Sequence, residues 1–77
     1  MKVYVLYKNG DVRALLDMSY NLDDIIESLG YCIDCTFIDY SITEKTDEGE
    51  RELMRIRSVD DYTNLRFVKG KQLLLKK

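Results

Sequence analysis

Cys32 and Cys35 make a C-x-x-C, the first place in this chain to look for chemistry. Where that motif opens a helix, the helix dipole lowers the thiol pKa and redox exchange follows. Here it falls inside Tyr31-Cys32-Ile33-Asp34-Cys35-Thr36-Phe37-Ile38-Asp39-Tyr40-Ser41-Ile42, a run rich in Tyr, Ile, Thr and Phe without Gly or Pro, which predicts a strand. Residues three apart in a strand are ~10 Å apart and point to opposite faces. A disulfide needs Cα atoms within ~7 Å. On that placement the two thiols share neither a disulfide nor a metal, and they read as small packing residues. The chain has no His, so the commonest general base is missing, and nothing completes a zinc site.

Carboxylates offer a second grouping. Asp23, Asp24 and Glu27, with Asp34 and Asp39, could hold a divalent metal or imitate nucleic-acid phosphate. The plainer reading, which we prefer, is helix-start electrostatics and a solvated face. Asp47-Glu48-Gly49-Glu50 has oxygen ligands but not EF-hand spacing. Arginines form the third grouping. Arg51, Arg55 and Arg57 alternate along an expected strand, with Arg66, Lys69, Lys71, Lys76 and Lys77 further on. Arg55, Arg57 and Arg66 could bind single-stranded nucleic acid by phosphate contact. Only Tyr62 and Phe67 are nearby for base stacking, so a solvated face that complements acidic residues is preferred. No nucleophile–base pair and no phosphate-cradling Gly loop is present in the sequence. The expectation is a protein without catalytic residues, cofactor or metal: not an enzyme.

The net charge of -2 conceals an asymmetry. Residues 1–50 carry 4 Lys/Arg against 11 Asp/Glu, and residues 51–77 carry 8 against 3. The two halves either form separate faces or pair across a sheet, and pairing is the simpler expectation. With 77 residues, 45% hydrophobic and 34% charged, the chain reads as a single domain spanning 1–77. No apolar run approaches the ~18 residues of a membrane span, and no signal-peptide pattern opens the chain, so a cytoplasmic location is expected.

The elements that must position these residues follow from patterning. Residues 2–17 read as a hairpin turning at Asn9-Gly10, the strongest short signal for a two-residue type I′ loop. That loop pairs Lys8 with Asp11, Tyr7 with Val12, Val5 with Ala14, Val3 with Leu16 and Lys2 with Asp17. Val3, Val5, Tyr7, Val12, Ala14 and Leu16 would then face the core. Tyr4, Leu6, Arg13 and Leu15 would share the other face, too apolar to be merely wet. Residues 22–29 read as a helix with Asn21 as N-cap, acidic Asp23 and Asp24 in its first turn, and an apolar stripe Leu22, Ile25, Ile26, Leu29. Gly30 suits a left-handed C′ position. After the strand over 31–42, residues 43–50 read as a polar loop and 51–59 as a return strand. Ser58–Asn64 reads as a turn or one helical turn capped by Ser58 or Asp60. Leu65–Val68 and Gln72–Lys76 read as last strands separated by a turn at Lys69-Gly70, with Leu73-Leu74-Leu75 buried on both faces.

The predicted fold class is α+β: a small, mostly antiparallel sheet of four to six strands with one short helix on one face. The order of elements, with an apolar last strand able to lie parallel to the first, resembles the β-grasp arrangement of ubiquitin-like domains. The chain ends in Lys76-Lys77 without Gly-Gly, so that family's conjugation chemistry is not implied. A simple antiparallel sheet is the competing topology. In style, a small, acidic, Tyr-rich, Pro-free chain resembles accessory proteins of phages and mobile elements, including inhibitors of host enzymes. The functional expectation is a non-enzymatic protein-interaction module binding a protein partner through Tyr4, Leu6, Arg13, Leu15, Asp23, Asp24 and Glu27. The alternatives are nucleic-acid binding through Arg55, Arg57 and Arg66, or a homodimer.

Overall fold

The computed structural model describes residues 1–33 and 39–68, with 64–68 as backbone only. Strands β1 (Val3–Asn9) and β2 (Arg13–Ser19) form a hairpin. Helix α1 (Leu22–Cys32) follows, then β3 (Tyr40–Thr46), β4 (Gly49–Ile56) and helix α2 (Val59–Val68). The four strands lie in the order β2-β1-β3-β4, and every neighbouring pair is antiparallel. The expected α+β class, an antiparallel sheet with a short helix on it, is what forms. The β-grasp order does not. A last strand parallel to β1 needs a free edge of β1, and β2 and β3 fill both. Gln72–Lys76 and the Lys69-Gly70 turn lie outside the described residues.

The hairpin differs from expectation by its loop. Asn9 pairs with Arg13, so the loop is Gly10-Asp11-Val12, one residue longer than predicted. The pairing moves three residues along β2, an odd number, which sends that strand's side chains to the other face. Tyr7 therefore meets Leu15 and Lys8 meets Ala14. Leu6, expected on the outer face, is fully buried in the core with Ile25, Ile26, Leu29, Tyr40, Ile42 and Ile56. Tyr4 packs against the same cluster. Val12, Ala14 and Leu16, expected in the core, are exposed. A bulge between Leu6/Tyr7 in the pairing leaves Leu16 as an extra residue of β2.

Helix α1 begins as predicted. Asn21 Oδ1 accepts from the Asp23 backbone N–H at 2.9 Å, with Asp23 and Asp24 in the first turn. Ile25, Ile26 and Leu29 are its buried side chains, and Leu22 packs beside them. The helix does not stop at Gly30. It runs on to Cys32, so Tyr31 and Cys32 are helical where a strand was predicted. Gly30 serves close packing instead: a methyl group there would overlap the Tyr62 hydroxyl and lie 3.4 Å from Cζ of the same ring. Asp34, Cys35, Thr36, Phe37 and Ile38 lie outside the described residues.

The polar stretch 43–50 is mostly strand. Thr46 pairs with Gly49 around a two-residue turn, and Gly49 takes φ +135, a conformation open to Gly. Cross-strand pairs make a ladder out of hydrophilic sequence: Glu44 faces Arg51 and Lys45 faces Glu50. Thr43 is buried within the sheet. The stretch expected to form a strand at Leu65–Val68 belongs to α2. Ser58 Oγ accepts from Asp61 N–H at 3.1 Å and caps α2, and the Asp61 carboxylate accepts from the preceding Arg57 N–H at 2.9 Å. No helix among the described residues is long and apolar enough to cross a membrane.

Candidate functional site

One face of the sheet lies under α1; among the described residues no helix lies on the other, where Val5, Tyr7, Ser41 and Thr43 are buried. Alternation along β1 puts Tyr4 and Leu6 under the helix and Val3, Val5, Tyr7 and Asn9 on the other side. Of the residues expected to form one binding face, Tyr4 and Leu6 are thus under α1, and Arg13 and Leu15 are on the opposite face. The loop length explains the separation. Arg13 lies across the Tyr7 ring, its Cζ 3.8 Å from the centroid, which fixes the guanidinium on the helix-free face.

Charged groups on both faces of the sheet are largely satisfied. Arg55 makes a two-point contact with Asp39, Nε to Oδ1 at 2.7 Å and Nη2 to Oδ2 at 3.2 Å, and Glu52 lies 3.8 Å away. Asn9 Nδ2 also reaches Asp39 at 3.5 Å and Ser41 Oγ at 3.2 Å. Arg51 pairs with Glu44 at 3.1 Å, and Lys2 reaches the same carboxylate at 3.3 Å. The acidic first half and the basic second half thus meet across β3 and β4 at two points, Glu44 with Arg51 and Asp39 with Arg55.

The basic strand face drawn from alternation loses Arg51. The pairing shifts between Ile42/Thr43, so Arg51 stands opposite Glu44 and Arg55 opposite Ser41, on different faces. Arg57 is past the end of β4, and Arg66 is on α2 rather than a strand. The charge of Arg57 nonetheless acts on the Asp39 carboxylate that Arg55 grips, and the Arg66 side chain is outside those described. The carboxylates do not converge: Asp39 is committed to Arg55, whereas Asp24 accepts from Ser19 Oγ at 3.2 Å beside α1. Among the described residues no group of three or more His, Cys, Asp or Glu could hold a metal ion. Cys32 is a free thiol at the end of α1, and its carbonyl accepts from the Tyr40 hydroxyl at 2.8 Å.

What stands out is an edge. Among the described residues the outer strands are β2 and β4. An edge strand exposes unpaired backbone groups, and charged side chains are the usual protection. β4 follows this rule with Glu50, Arg51, Glu52 and Arg55. β2 does not: Leu15 is 51% exposed, Leu16 39% and Met18 53%, and Val12 in the adjoining loop is 78% exposed. Sequence reasoning singled out Leu15 but placed Leu16 and Val12 in the core and passed over Met18. No family model, curated protein or solved structure matches this chain. The flank of α1 beside this edge is acidic. Asp24, Glu27, Ser28 and Tyr31 recur at i, i+3, i+4, i+7 and form one stripe. Two hydrogen bonds turn it toward β2, Ser19 Oγ to the Asp24 carboxylate and Ser28 Oγ to the Asp17 carboxylate. Asp24, Glu27 and Tyr31 are exposed. Asp23, at the first turn, is exposed too and lies off this stripe.

The Asp39–Arg55 pair gives this face a pH response. Hydrogen bonds from Arg55, outweighing the opposing effect of burial, hold the Asp39 carboxyl below its ordinary value of 3.8. A lowered folded-state pKa stabilises the fold fully above that ordinary value, and the contribution is lost as pH falls through the lowered one. Burial would raise Glu44, but hydrogen bonds from Arg51 and Lys2 outweigh it and lower its pKa, with the same sign. Urea midpoints should therefore fall as pH drops below ~4, and Asp39→Asn should flatten part of that fall. An equal acid slope in the variant would show that Asp39 is not responsible.

Proposed function

We propose that this protein is a small, non-enzymatic protein-interaction module of the cytoplasm. It binds a protein partner through β2, in the way an accessory protein or inhibitor from a phage or mobile element binds a host protein. The observation supporting this reading is the contrast between the two sheet edges. β4 carries alternating charge, whereas β2 leaves Leu15, Leu16 and Met18 in water. Apolar groups left exposed in a row on an edge strand are an aggregation liability unless something covers them. The residues that bear the contact on this reading are Leu15, Leu16, Met18 and Arg13, flanked by Asp24 and Glu27.

The test is capture from a lysate of the source cells by the tagged chain, after nuclease treatment and at high salt. It is run beside a Leu15→Asp/Met18→Asp double variant whose melting is checked separately. Both sites are already half in water, so the fold should survive with a change within ~0.5 kcal/mol. The expected result is a stoichiometric protein held by the native chain and lost from the variant. Equal capture by both, or recovery only of nucleic acid or of further copies of this chain, would overturn the proposal.

A further inference from the structure

The same edge, taken as the interaction surface proposed above, also carries information about the chemistry of what lies on it. Side chains of an extended segment point alternately to the two sides of a sheet. A segment lying along β2 would thus present every second side chain toward the helix-free face and the others toward α1. On the helix-free side it would meet Leu15 and Met18, whose partners in β1 are Tyr7 and Val5. On the helix side it would meet Asp17 and the stripe bearing Asp24 and Glu27. No basic residue is present between Ser19 and Ile33, and α1 has none in its last turn. The Asp17 carboxylate already accepts from Ser28 and from the Met18 backbone N–H at 2.8 Å, but Asp24 and Glu27 make no ion pair with the described residues.

We infer that β2 receives an extended segment of a partner protein in which basic and apolar side chains alternate. Its apolar residues cover Leu15 and Met18, and its Lys or Arg residues stand over Asp24 and Glu27. The bulge at Leu16 interrupts a regular edge, so recognition rests on both rows of side chains rather than on an unbroken backbone ladder. Attraction to the acidic stripe sets which segment is accepted, and apolar contact holds it. A second copy of this chain does not supply such a segment from β1 or β2, whose basic residues are Lys8 and Arg13 alone.

The probe is an end-blocked heptapeptide of alternating Lys and Val, with its Glu–Val counterpart, titrated into the full chain and followed by amide chemical shifts. The expected result is shifts confined to β2 and α1 for the Lys peptide, weakening as salt rises, and none for the Glu peptide. Asp24→Asn/Glu27→Gln should weaken binding at least tenfold, as should Leu15→Asp/Met18→Asp. Equal binding of both peptides, or loss with the leucine–methionine variant only, would overturn the basic–apolar inference while leaving β2 as an interaction surface. No peptide binding, together with lysate capture indifferent to Leu15→Asp/Met18→Asp, would overturn both. A native chain that sediments as a dimer and becomes monomeric in Leu15→Asp/Met18→Asp would show that β2 is a self-interface, and the inference would fail.

Discussion

Leu6→Ala should destabilise the protein by ~2–5 kcal/mol, the range for a leucine removed from a closed core, while Leu15→Ala should change stability by no more than ~0.5 kcal/mol. Leu6 has no exposed surface and contacts a cluster drawn from α1, β3 and β4. Leu15 is half exposed at the sheet edge. The predicted two-residue loop would have placed both on one face with similar, mild costs. The observed pairing of Tyr7 with Leu15 separates them. A domain of this length has a total stability of only ~4–11 kcal/mol, so the Leu6 variant should melt at least ~8 °C lower. Thermal unfolding of the two variants side by side measures the hairpin register. Comparable costs at both positions would refute it.

Tyr40→Ala should cost ~3–5 kcal/mol, as for other large aromatic groups deleted from cores, and Tyr40→Phe ~1 kcal/mol, the net value of one hydrogen bond. The ring is 1% exposed and stands in the sheet between Lys8 and Ile56. Its hydroxyl donates to the Cys32 carbonyl, one of the acceptors that the end of a helix leaves without an intrahelical donor. The two variants therefore separate ring packing from the tie between β3 and the last turn of α1. Urea unfolding gives both values. A phenylalanine variant as stable as the native chain would mean that the hydroxyl bond contributes nothing net, and a small effect of alanine would remove Tyr40 from the core.

The parts of this fold that could be read in the sequence were those governed by local chemistry. Asn21 and the spacing of Leu22, Ile25, Ile26 and Leu29 are signals contained within the helix they define, and α1 starts where they say. The polar–acidic run 58–61 announced a cap, and Ser58 provides one. What failed depended on partners distant in sequence. Tyr31 and Cys32 favour strands alone but continue a helix whose Gly30 closes on Tyr62. Thr43, Glu44 and Lys45 look like loop until β4 supplies Glu52, Arg51 and Glu50 opposite them. The Gly10 hairpin was visible, but a loop one residue longer redistributed every side chain beyond it. The same slip divided the expected binding residues between two faces, and it exposed Met18, which no local pattern marks.

The strand order carries a consequence for how the chain closes. Two of the three pairings, β1 with β2 and β3 with β4, join neighbours in sequence across short turns. The third, β1 with β3, joins strands that have all of β2 and α1 between them. Loop-closure entropy, which rises slowly with loop length, thus falls almost entirely on one seam. Leu6 and Ile42 face each other across that seam and are both fully buried in the core. The contact that organises the core is also the one that fixes the topology, and the two flanking hairpins are local units that this single long-range joint makes into one sheet.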